Sequence, residues 1–401
     1  MKLIKIQEDK YYDYKLQAMF DCYKWDPQFY DNCTLAKYAL VLTKQENEEL
    51  MTLTTKLDVE TRQAEQWLNK NKKVAKKLML PRKILKQIKN MQSYDETKNI
   101  RLMRYDFHPS YDNSWVVTEV NSDVPGGFAE SSLLPGLARN IIGDKKLTYN
   151  SFGDRMVETI NNKLKHKGTI MLVHCTCFSD DRQVMQFLGD TLKGQGYRII
   201  YGAADHINFK DKKAYCILDN NYEEIDLIFR FTPLEWLIQM KPRRWDGYFN
   251  TVTMSCNHPI SIYAQSKRFP FVWQELKREG ILMETWSSLL PETIETKKVG
   301  TKEGFIYKPV YGRVGEKISI KEACKGDEYI KILKDVKKHP KQYLAQKKFE
   351  SKPILGDNDT EYHVCIGSYV IDGQHAGYYA RMSLYPRIDS YAMDVPVLIE
   401  E

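Results

Sequence analysis

The feature that most constrains the fold is a nearly continuous apolar run, Gly168–His174, which is followed by a helical segment and a second apolar run. Strands of a parallel sheet that is covered on both faces have this composition, because neither face meets water. Residues 181–193 are predicted to form a helix that ends at Gly194, and residues 197–202 a second strand. A further buried strand is predicted over 225–230. The middle of the chain therefore predicts strand–helix–strand units and a mixed α/β fold.

The segments on either side of this unit have different patterns. Residues 1–95 are predicted to be mostly helical, because apolar residues recur at three- and four-residue spacing in 11–23 and 35–67. Pro81 is expected to begin a new helix rather than to interrupt one. After residue 298 the chain becomes rich in predicted strands, including Lys317–Ile320. With 401 residues the chain is long enough to form two or more lobes.

Charge and composition exclude several classes of protein. No apolar stretch approaches the length of a membrane span, and the first residues lack the apolar core of a signal peptide. The eight cysteines are scattered without zinc-type spacing, so reduced thiols in a cytoplasmic protein are expected. Cys175 and Cys177 are predicted to pack on one face of an apolar strand. The net charge of +7 is mild, and nucleic-acid binding would rest only on the basic stretch 70–89, which a solvated helix face also explains.

Oxygen ligands cluster on a predicted hairpin. Glu119 and Asn121 are two residues apart on one strand, so their side chains leave the same face. Arg104 and Asp106 lie on a neighbouring run, and the loop 109–113 connects the two. Hard oxygens suit magnesium, and a guanidinium suits a phosphoryl or acyl-phosphate oxygen. A surface hairpin with ordinary charges is the alternative interpretation.

A basic, glycine-containing turn follows a later strand. The strand delivers Lys308, and Gly312 and Gly315 then flank Arg313. Backbone amides and these cations can reach the oxygens of a triphosphate, although the segment is neither a Walker loop nor a dinucleotide fingerprint. An ordinary hairpin remains the alternative. Further on, a hairpin turning at Asp372-Gly373 carries Arg381, which is either structural or placed on a phosphate.

Five motifs follow one order along the chain: Arg-x-Asp at 104–106, Glu-x-Asn-x-Asp-x-Pro at 119–125, Arg-Phe-Thr-Pro-Leu-Glu-Trp-Leu at 230–237, Lys-Pro-x-x-x-Arg-x-Gly at 308–315 and Ala-Gly-x-x-x-Arg at 376–381. In this order the chain resembles the synthetase domain of glutathionylspermidine synthases, over roughly residues 100–398. The resemblance implies an ATP-grasp-like fold of circularly permuted order. In such a fold the magnesium ligands precede the nucleotide-binding lysine.

The resemblance also implies roles for individual residues. Asp106, Glu119 and Asn121 would be the magnesium ligands, and Arg104 would stabilise charge on the transferring phosphoryl group. Asp181-Arg182 resembles an acidic–arginine pair that opens a helix in the family. The implied nucleotide-binding residues are Lys267, Lys308, Gly312, Arg313, Gly315, Gln346 and Arg381.

The domain organisation implied is a helical region at 1–95 and a synthetase at 96–398, with an α/β subdomain at 168–232 and a β-rich, nucleotide-binding lobe at 300–385. The first region is too short for the amidase domain of the bifunctional members, so amidase activity is not expected. It is expected to serve as a substrate lid or as the interface of a homo-oligomer.

The function implied is an ADP-forming, carboxylate–amine ligase that uses ATP and Mg²⁺ and proceeds through an acyl phosphate. A small-molecule or peptide carboxylate and an amine are the expected substrates, and their identity stays open. The absence of a Ser–His–Asp or Cys–His arrangement agrees with phosphoryl transfer, which needs positioning and charge neutralisation. A phosphotransferase and a non-catalytic nucleotide-binding module remain the alternatives.

Overall fold

The computed structural model describes residues 1–91, 94–220, 222–312 and 315–401. The helices are α1 (Glu8–Phe20), α2 (Lys44–Lys70), α3 (Arg82–Asn90), α4 (Phe128–Ser132), α5 (Leu134–Ile142), α6 (Phe152–Lys163), α7 (Ser179–Gly194), α8 (Leu234–Leu237), α9 (Ile262–Gln265), α10 (Trp273–Arg278), α11 (Glu284–Leu289), α12 (Thr296–Val299) and α13 (Glu328–Lys338).

The strands are β1 (Lys2–Lys5), β2 (Gln28–Phe29), β3 (Asn32–Cys33), β4 (Tyr38–Leu42), β5 (Leu102–Pro109), β6 (Trp115–Asn121), β7 (Leu147–Thr148), β8 (Thr169–Val173), β9 (Arg198–Gly202), β10 (Ile207–Lys210), β11 (Lys213–Cys216), β12 (Glu223–Glu224), β13 (Leu227–Arg230), β14 (Met254–Cys256), β15 (Thr293–Glu295), β16 (Phe305–Pro309), β17 (Tyr343–Lys347), β18 (Ile354–Leu355), β19 (Glu361–Ile371), β20 (Gln374–Ser383), β21 (Met393–Val395) and β22 (Val397–Glu400). This mixture confirms the predicted α/β class.

The central sheet is antiparallel and has the order β21-β20-β19-β5-β6, with β18 beside β19. Its two predicted hairpins, β5–β6 and β19–β20, are both present, and the second turns at Asp372-Gly373 as expected. Strand β5 is covered on one face by core residues, since Met103, Tyr105 and Phe107 are fully buried. Because successive side chains of a strand point to opposite faces, the residues between these three point away from this core.

Helix α2 covers the buried face of the central sheet. It begins with a capping box, in which the Thr43 hydroxyl accepts a hydrogen bond from the Glu46 amide and the Glu46 carboxylate accepts one from the Thr43 amide. The residues that face the sheet recur at three- and four-residue spacing: Leu50, Thr54, Leu57, Asp58, Thr61, Ala64, Glu65 and Leu68. A hydrogen bond of 2.8 Å between the hydroxyls of Thr54 and Ser368 joins the helix to β19. The helix thus fixes the sheet that carries the candidate site.

A second sheet is parallel and has the order β14-β13-β8-β9. All five residues of β8 are buried, as its continuous apolar sequence predicted. Helix α7 connects β8 to β9, and Gly189 on this helix lies so close to Tyr201 that a Cβ would approach the Tyr201 hydroxyl to 2.1 Å. The strand–helix–strand unit is confirmed, with bounds that differ from the prediction by a few residues.

The N-terminal segment contains strands that the sequence did not predict. The periodicity of 35–67 predicts a mostly helical segment, but β4 within this range lies between β1 and the C-terminal strand β22 in a sheet of order β1-β4-β22-β7. All five residues of β4 are buried. Their partner, β22, lies at the far end of the chain, and short-range periodicity does not detect such a contact. The proposed domain boundaries remain predictions.

A small antiparallel sheet, β15-β17-β16, packs against α12 and α13 through its own core of Tyr307, Ile332, Val336, Tyr343 and Ala345. The strand predicted at Lys317–Ile320 is wrong, because this segment is a turn and loop beside β16. Within the described ranges, no helix is both long enough and apolar enough to cross a membrane.

Candidate active site

Strands β5 and β6 form one wall of a cavity of about 410 Å³. Along β5, Arg104, Asp106 and His108 alternate with core residues and line this cavity. Across the hairpin, Asp106 pairs with Glu119 and Arg104 pairs with Asn121, and both partners also line the cavity. The structure therefore brings the three predicted metal ligands and the predicted catalytic arginine onto one wall.

Arg104 and Asp106 form a two-pronged ion pair. Arg104 donates from Nε to Asp106 Oδ1 over 2.8 Å and from Nη2 to Oδ2 over 3.0 Å. Asn121 donates from Nδ2 to Asp106 Oδ2 over 2.9 Å, so its amide oxygen is the atom that can serve as a ligand. Arg104 also donates to the Gly126 carbonyl over 2.8 Å. Gly367 on β19 leaves room for this arrangement, since a Cβ there would lie 2.6 Å from Arg104 Cδ.

The charges of two lysines act on the second carboxylate of the cavity wall. Lys267 Nζ lies 2.9 Å from Glu119 Oε2 and donates to the Gly312 carbonyl over 2.8 Å. Burial acts to raise the pKa of Glu119, but the charges of Lys267 and Lys308 outweigh it and lower that pKa to about 2. Lys308 is buried on β16, and this burial lowers its pKa to about 8 against the attraction of Glu119. Glu119 is therefore an anion that pairs with Lys267 and is further stabilised by the charge of Lys308.

The two carboxylates of the wall differ in their environment. Burial raises the pKa of Asp106 even though Arg104 and Asn121 favour its charged form. The oxygen donors on the β5–β6 wall are two carboxylates and one amide oxygen. Across residues 1–91, 94–220, 222–312 and 315–401 there is no group of three or more His, Cys, Asp and Glu side chains that could hold a metal ion. A metal at this wall would depend on Asn121 and on oxygens from a bound substrate.

A narrow, mostly apolar slot of about 30 Å³ adjoins the cavity and shares Glu119, Lys267 and Lys308 with it. The slot is further lined by Phe269, Trp286, Leu290, Leu344 and Gln346. Gln346 donates from Nε2 to Thr293 over 3.1 Å, while its buried Oε1 has no hydrogen-bond partner among the described residues. An orphaned amide oxygen in an apolar slot suits the amino group of a flat ring. A volume of this size admits little more than a water molecule, so the slot must widen to take such a ring.

The predicted phosphate loop is only partly within the described residues. Gly312 and Gly315 line the cavity, and Lys267 joins Gly312 to Glu119 on β6. Arg313 lies outside the described residues. Gly315 has a φ of +69°, and a Cβ at this position would lie 2.7 Å from the Ile388 carbonyl oxygen. Only glycine fits here without strain, because both the backbone conformation and the space exclude a side chain.

Arg381 lines the cavity from β20, as its predicted role requires. Its Nη2 already donates to the carbonyls of Asp389 and Ala392, over 2.5 Å and 3.2 Å. Its Nε lies 3.7 Å from Asp394. These contacts hold the guanidinium in place and leave part of its donor set for a ligand. Both interpretations of Arg381, structural and ligand-facing, are compatible with this geometry.

The sequence did not predict the ion pairs that Lys24 forms at the cavity with Glu130 and Asp394. Lys24, from the loop after α1, inserts between Glu130 and Asp394, with Nζ–O distances of 3.1 Å and 2.6 Å. Tyr379 donates to Asp394 over 2.7 Å and stacks beside Arg104 with 5.1 Å between guanidinium and ring. Lys24 is remote in sequence from both of its partners, so no local motif indicates this contact. Of the predicted Asp181-Arg182 pair, Asp181 lines the cavity, whereas Arg182 lies over the Tyr201 ring.

The chain matches the model of a known protein family. The family model described as "Glutathionylspermidine synthase preATP-grasp" matches residues 12–400. Among solved structures, a protein described as "Putative gamma-glutamylcysteine synthetase" from Methylobacillus flagellatus KT is similar, with 11% identity, coverage of 86% of this chain and 85% of that chain, and a TM-score of 0.40. At this identity and TM-score, the similarity supports no conclusion about fold or function. No curated protein matches the chain.

Proposed function

We propose, since the chain belongs to the glutathionylspermidine synthase preATP-grasp family, that it is an ATP-dependent, ADP-forming ligase that joins a carboxylate to an amine. The observation that supports this most is the β5–β6 wall. It places Asp106, Glu119 and Asn121 on one face, beside Lys267 and Lys308. Alternating anionic oxygens and cations in one cavity are what a magnesium triphosphate needs, because the metal requires oxygen ligands and the phosphates require cations.

The apolar slot supports the assignment of a purine nucleotide. Its position next to Lys267 and Lys308 would place an adenine ring in the slot when the triphosphate lies in the larger cavity. The Oε1 atom of Gln346 would accept a hydrogen bond from the exocyclic amine of adenine. Guanine presents an oxygen at the corresponding position, which would leave two acceptors facing each other. We therefore propose ATP rather than GTP as the nucleotide.

The residues present fit magnesium. Asp106, Glu119 and Asn121 would hold it, and carboxylate oxygens that already accept a hydrogen bond keep a second lone pair for a metal. When bound, Mg²⁺ would neutralise charge on the phosphate oxygens. Glu119 stays ionised at all physiological pH values, since its pKa is about 2. The same holds for the guanidinium of Arg104, which burial in this site does not discharge because Asp106 lies against it.

The proposed reaction has two steps. A substrate carboxylate oxygen attacks the γ-phosphorus of ATP, the bond between the γ-phosphorus and the bridging oxygen breaks, and ADP leaves. The amine nitrogen then attacks the acyl carbon of the acyl phosphate, an N–H proton is lost, and inorganic phosphate leaves. Arg104 would stabilise the charge on the transferring phosphoryl group, a role in which one donor is worth roughly 3 kcal/mol. No side chain acts as a nucleophile in either step.

The test is ADP release in the presence of Mg²⁺, with a panel of carboxylates crossed with a panel of amines. The proposal requires ADP only where both a carboxylate and an amine are present, with the amide found by mass spectrometry. Arg104→Ala should lower kcat on the order of 100-fold or more, whereas Arg243→Ala, an exposed arginine away from the cavity, should leave kcat unchanged.

Other outcomes would replace the proposal. ADP formed with a hydroxyl compound alone, together with a stable phosphorylated product, would identify a phosphotransferase. Saturable ATP binding without ADP under any condition would identify a nucleotide-binding module.

A further inference from the structure

Two cysteines lie in a turn beside the cavity rather than in a strand. The sequence predicted that Cys175 and Cys177 pack on the face of an apolar strand, and this prediction is wrong because β8 ends at Val173. The turn that follows is closed by a hydrogen bond of 3.1 Å from the Phe178 amide to the Cys175 carbonyl. Cys177 is exposed and Cys175 is partly exposed, and their Sγ atoms lie 3.4 Å apart. Both thiols are therefore accessible and adjacent.

The other thiols in the described residues have different surroundings. Cys22, Cys216 and Cys256 are buried, and Cys365 on β19 is partly buried and lines the cavity. Cys33 shares hydrogen bonds with the Tyr11 hydroxyl and the Leu35 carbonyl, while Cys324 contacts the Ile318 carbonyl and Arg387. None of the hydrogen bonds of Cys33 and Cys324 in the described residues goes to another cysteine, and a disulfide requires two sulfur atoms within reach of each other. The pair after β8 already has its sulfur atoms in contact.

We propose that Cys175 and Cys177 are a redox-active dithiol, which small-molecule disulfides close to an intramolecular disulfide. The Cys177 thiolate attacks one sulfur of the small disulfide, forms a mixed disulfide and releases one thiolate. The Cys175 thiol loses its proton and attacks Cys177 Sγ, and the second small thiolate leaves. Two protein thiols are oxidised by two electrons, and one small disulfide is reduced to two thiols.

Exposure and electrostatics set the order of the two attacks. Cys177 is the more exposed thiol, and exposure favours the first, bimolecular attack. Burial and the hydrogen bond shared with Cys177 raise the pKa of Cys175, which suits a thiol that acts second and only inside the molecule. A closed disulfide in so short and exposed a turn is expected to be easily reduced, because strained or exposed disulfides have more oxidising potentials.

The location links the dithiol to the cavity without making it part of the ligase site. Helix α7 begins at Ser179, and Asp180 and Asp181 in its first turn line the cavity. Phe178 lies between the dithiol and this turn, with its ring 6.1 Å from the Trp236 ring. Closure of the disulfide therefore constrains the residues that lead directly into the cavity wall. The proposal itself concerns only the thiol chemistry and stands whether or not the protein is a ligase.

The experiment uses the reduced, full-length protein and 2-hydroxyethyl disulfide as the probe, with iodoacetamide quenching and peptide mass spectrometry. Wild type and Cys33→Ser should convert the peptide that contains both thiols to a form two hydrogens lighter. Cys175→Ser should stop at the mixed disulfide on Cys177, since the attacking thiol of the second step is missing. Phenylarsine oxide, which bridges two close thiols, should protect Cys175 and Cys177 from alkylation in wild type and in Cys33→Ser, and should leave Cys177 unprotected in Cys175→Ser.

Two results would overturn the proposal. One is a mixed disulfide on Cys177 that accumulates in wild type as it does in Cys175→Ser, because the second thiol would then not reach the first. The other is full alkylation of both thiols in the presence of phenylarsine oxide. This second readout needs no substitution, so it decides the question even where a serine variant folds poorly.

Discussion

If the chain binds ATP as proposed, the buried lysine of β16 should make the affinity for the nucleotide depend on pH. Lys308 has a pKa of about 8 in the free protein, chiefly because burial disfavours its charge. At pH 7 it is roughly 90% protonated and at pH 9 roughly 10% protonated, for a single group of this pKa. A triphosphate binds the protonated form, since the ammonium supplies the charge. Affinity for ATP is therefore expected to fall about tenfold between pH 7 and pH 9.

The direction of this pH dependence follows from the coupling between nucleotide binding and protonation of Lys308. A nucleotide that binds the lysinium raises the pKa of Lys308, so binding takes up a proton when the pH exceeds the pKa of the free protein. The contribution of this group to affinity is fully present well below pH 8 and is lost as the pH rises through 8. Glu119 does not oppose the trend, because its pKa of about 2 keeps it ionised throughout this range.

The assay is titration calorimetry with Mg²⁺ and a non-hydrolysable ATP analogue at several pH values from 7 to 9. The matched control is Lys308→Arg, which keeps a positive charge over the whole range. The ratio of the wild-type and variant dissociation constants cancels the titration of the nucleotide itself. A slope in Lys308→Arg equal to that of the wild type would refute the reasoning, because the pH dependence would then come from another group.

Three further predictions address the site and its support. Asp106→Asn and Glu119→Gln should each abolish magnesium-dependent turnover while the protein stays folded at the assay temperature, with a lowered thermal midpoint because Arg104 or Lys267 loses its ion-pair partner; turnover in both variants would remove the metal assignment. Gly315→Ala should weaken nucleotide binding more than Gly300→Ala, because both positions have positive φ but a Cβ has open space only at Gly300, and equal effects in calorimetry would exclude the steric argument. Burial raises the pKa of Glu65 to about 7 against the charge of its ion-pair partner. Because the folded protein then binds a proton that the unfolded chain has released, the free energy of unfolding of wild type, measured relative to that of Glu65→Gln, should fall by on the order of 3 kcal/mol from pH 4 to pH 8. If urea denaturation gives the same difference between wild type and variant at both pH values, the prediction is contradicted.

The parts of the site that the sequence predicted are those whose geometry is local. Glu119 and Asn121 share a face because they are two residues apart on a strand, and the antiparallel partner brings Asp106 opposite Glu119. The same reasoning predicted β8, α7 and β9, since burial on both faces dictates an uninterrupted apolar strand. Each of these inferences needs only neighbouring residues.

The parts that were missed depend on contacts between distant segments. Strand β4 forms because β22 pairs with it from the other end of the chain. Lys24 enters the cavity for the same reason, since its partners Glu130 and Asp394 come from two later segments. The surroundings of the dithiol were predicted wrongly because the apolar composition of β8 does not indicate where the strand ends. Neither periodicity nor motif spacing contains this information.

The charged groups of the cavity neutralise one another before any ligand is bound. Arg104 is paired with Asp106, and Lys267 with Glu119. Binding of a magnesium triphosphate would therefore exchange partners: the carboxylates would pass to the metal and the cations to the phosphates. Such an exchange never leaves a buried charge without a partner, and an unpaired buried charge is strongly destabilising in a low-dielectric site.

A double-variant cycle tests this exchange. Lys267→Met alone leaves Glu119 without its closest cation and should lower both stability and nucleotide affinity. Glu119→Gln in the same chain removes the uncompensated charge, so the double variant should regain stability relative to Lys267→Met while nucleotide binding stays weak. The coupling energy in stability should be on the order of 1–3 kcal/mol. Additive losses of stability would show that the two groups do not neutralise each other in the free protein, and the partner exchange would then fail as an account of binding.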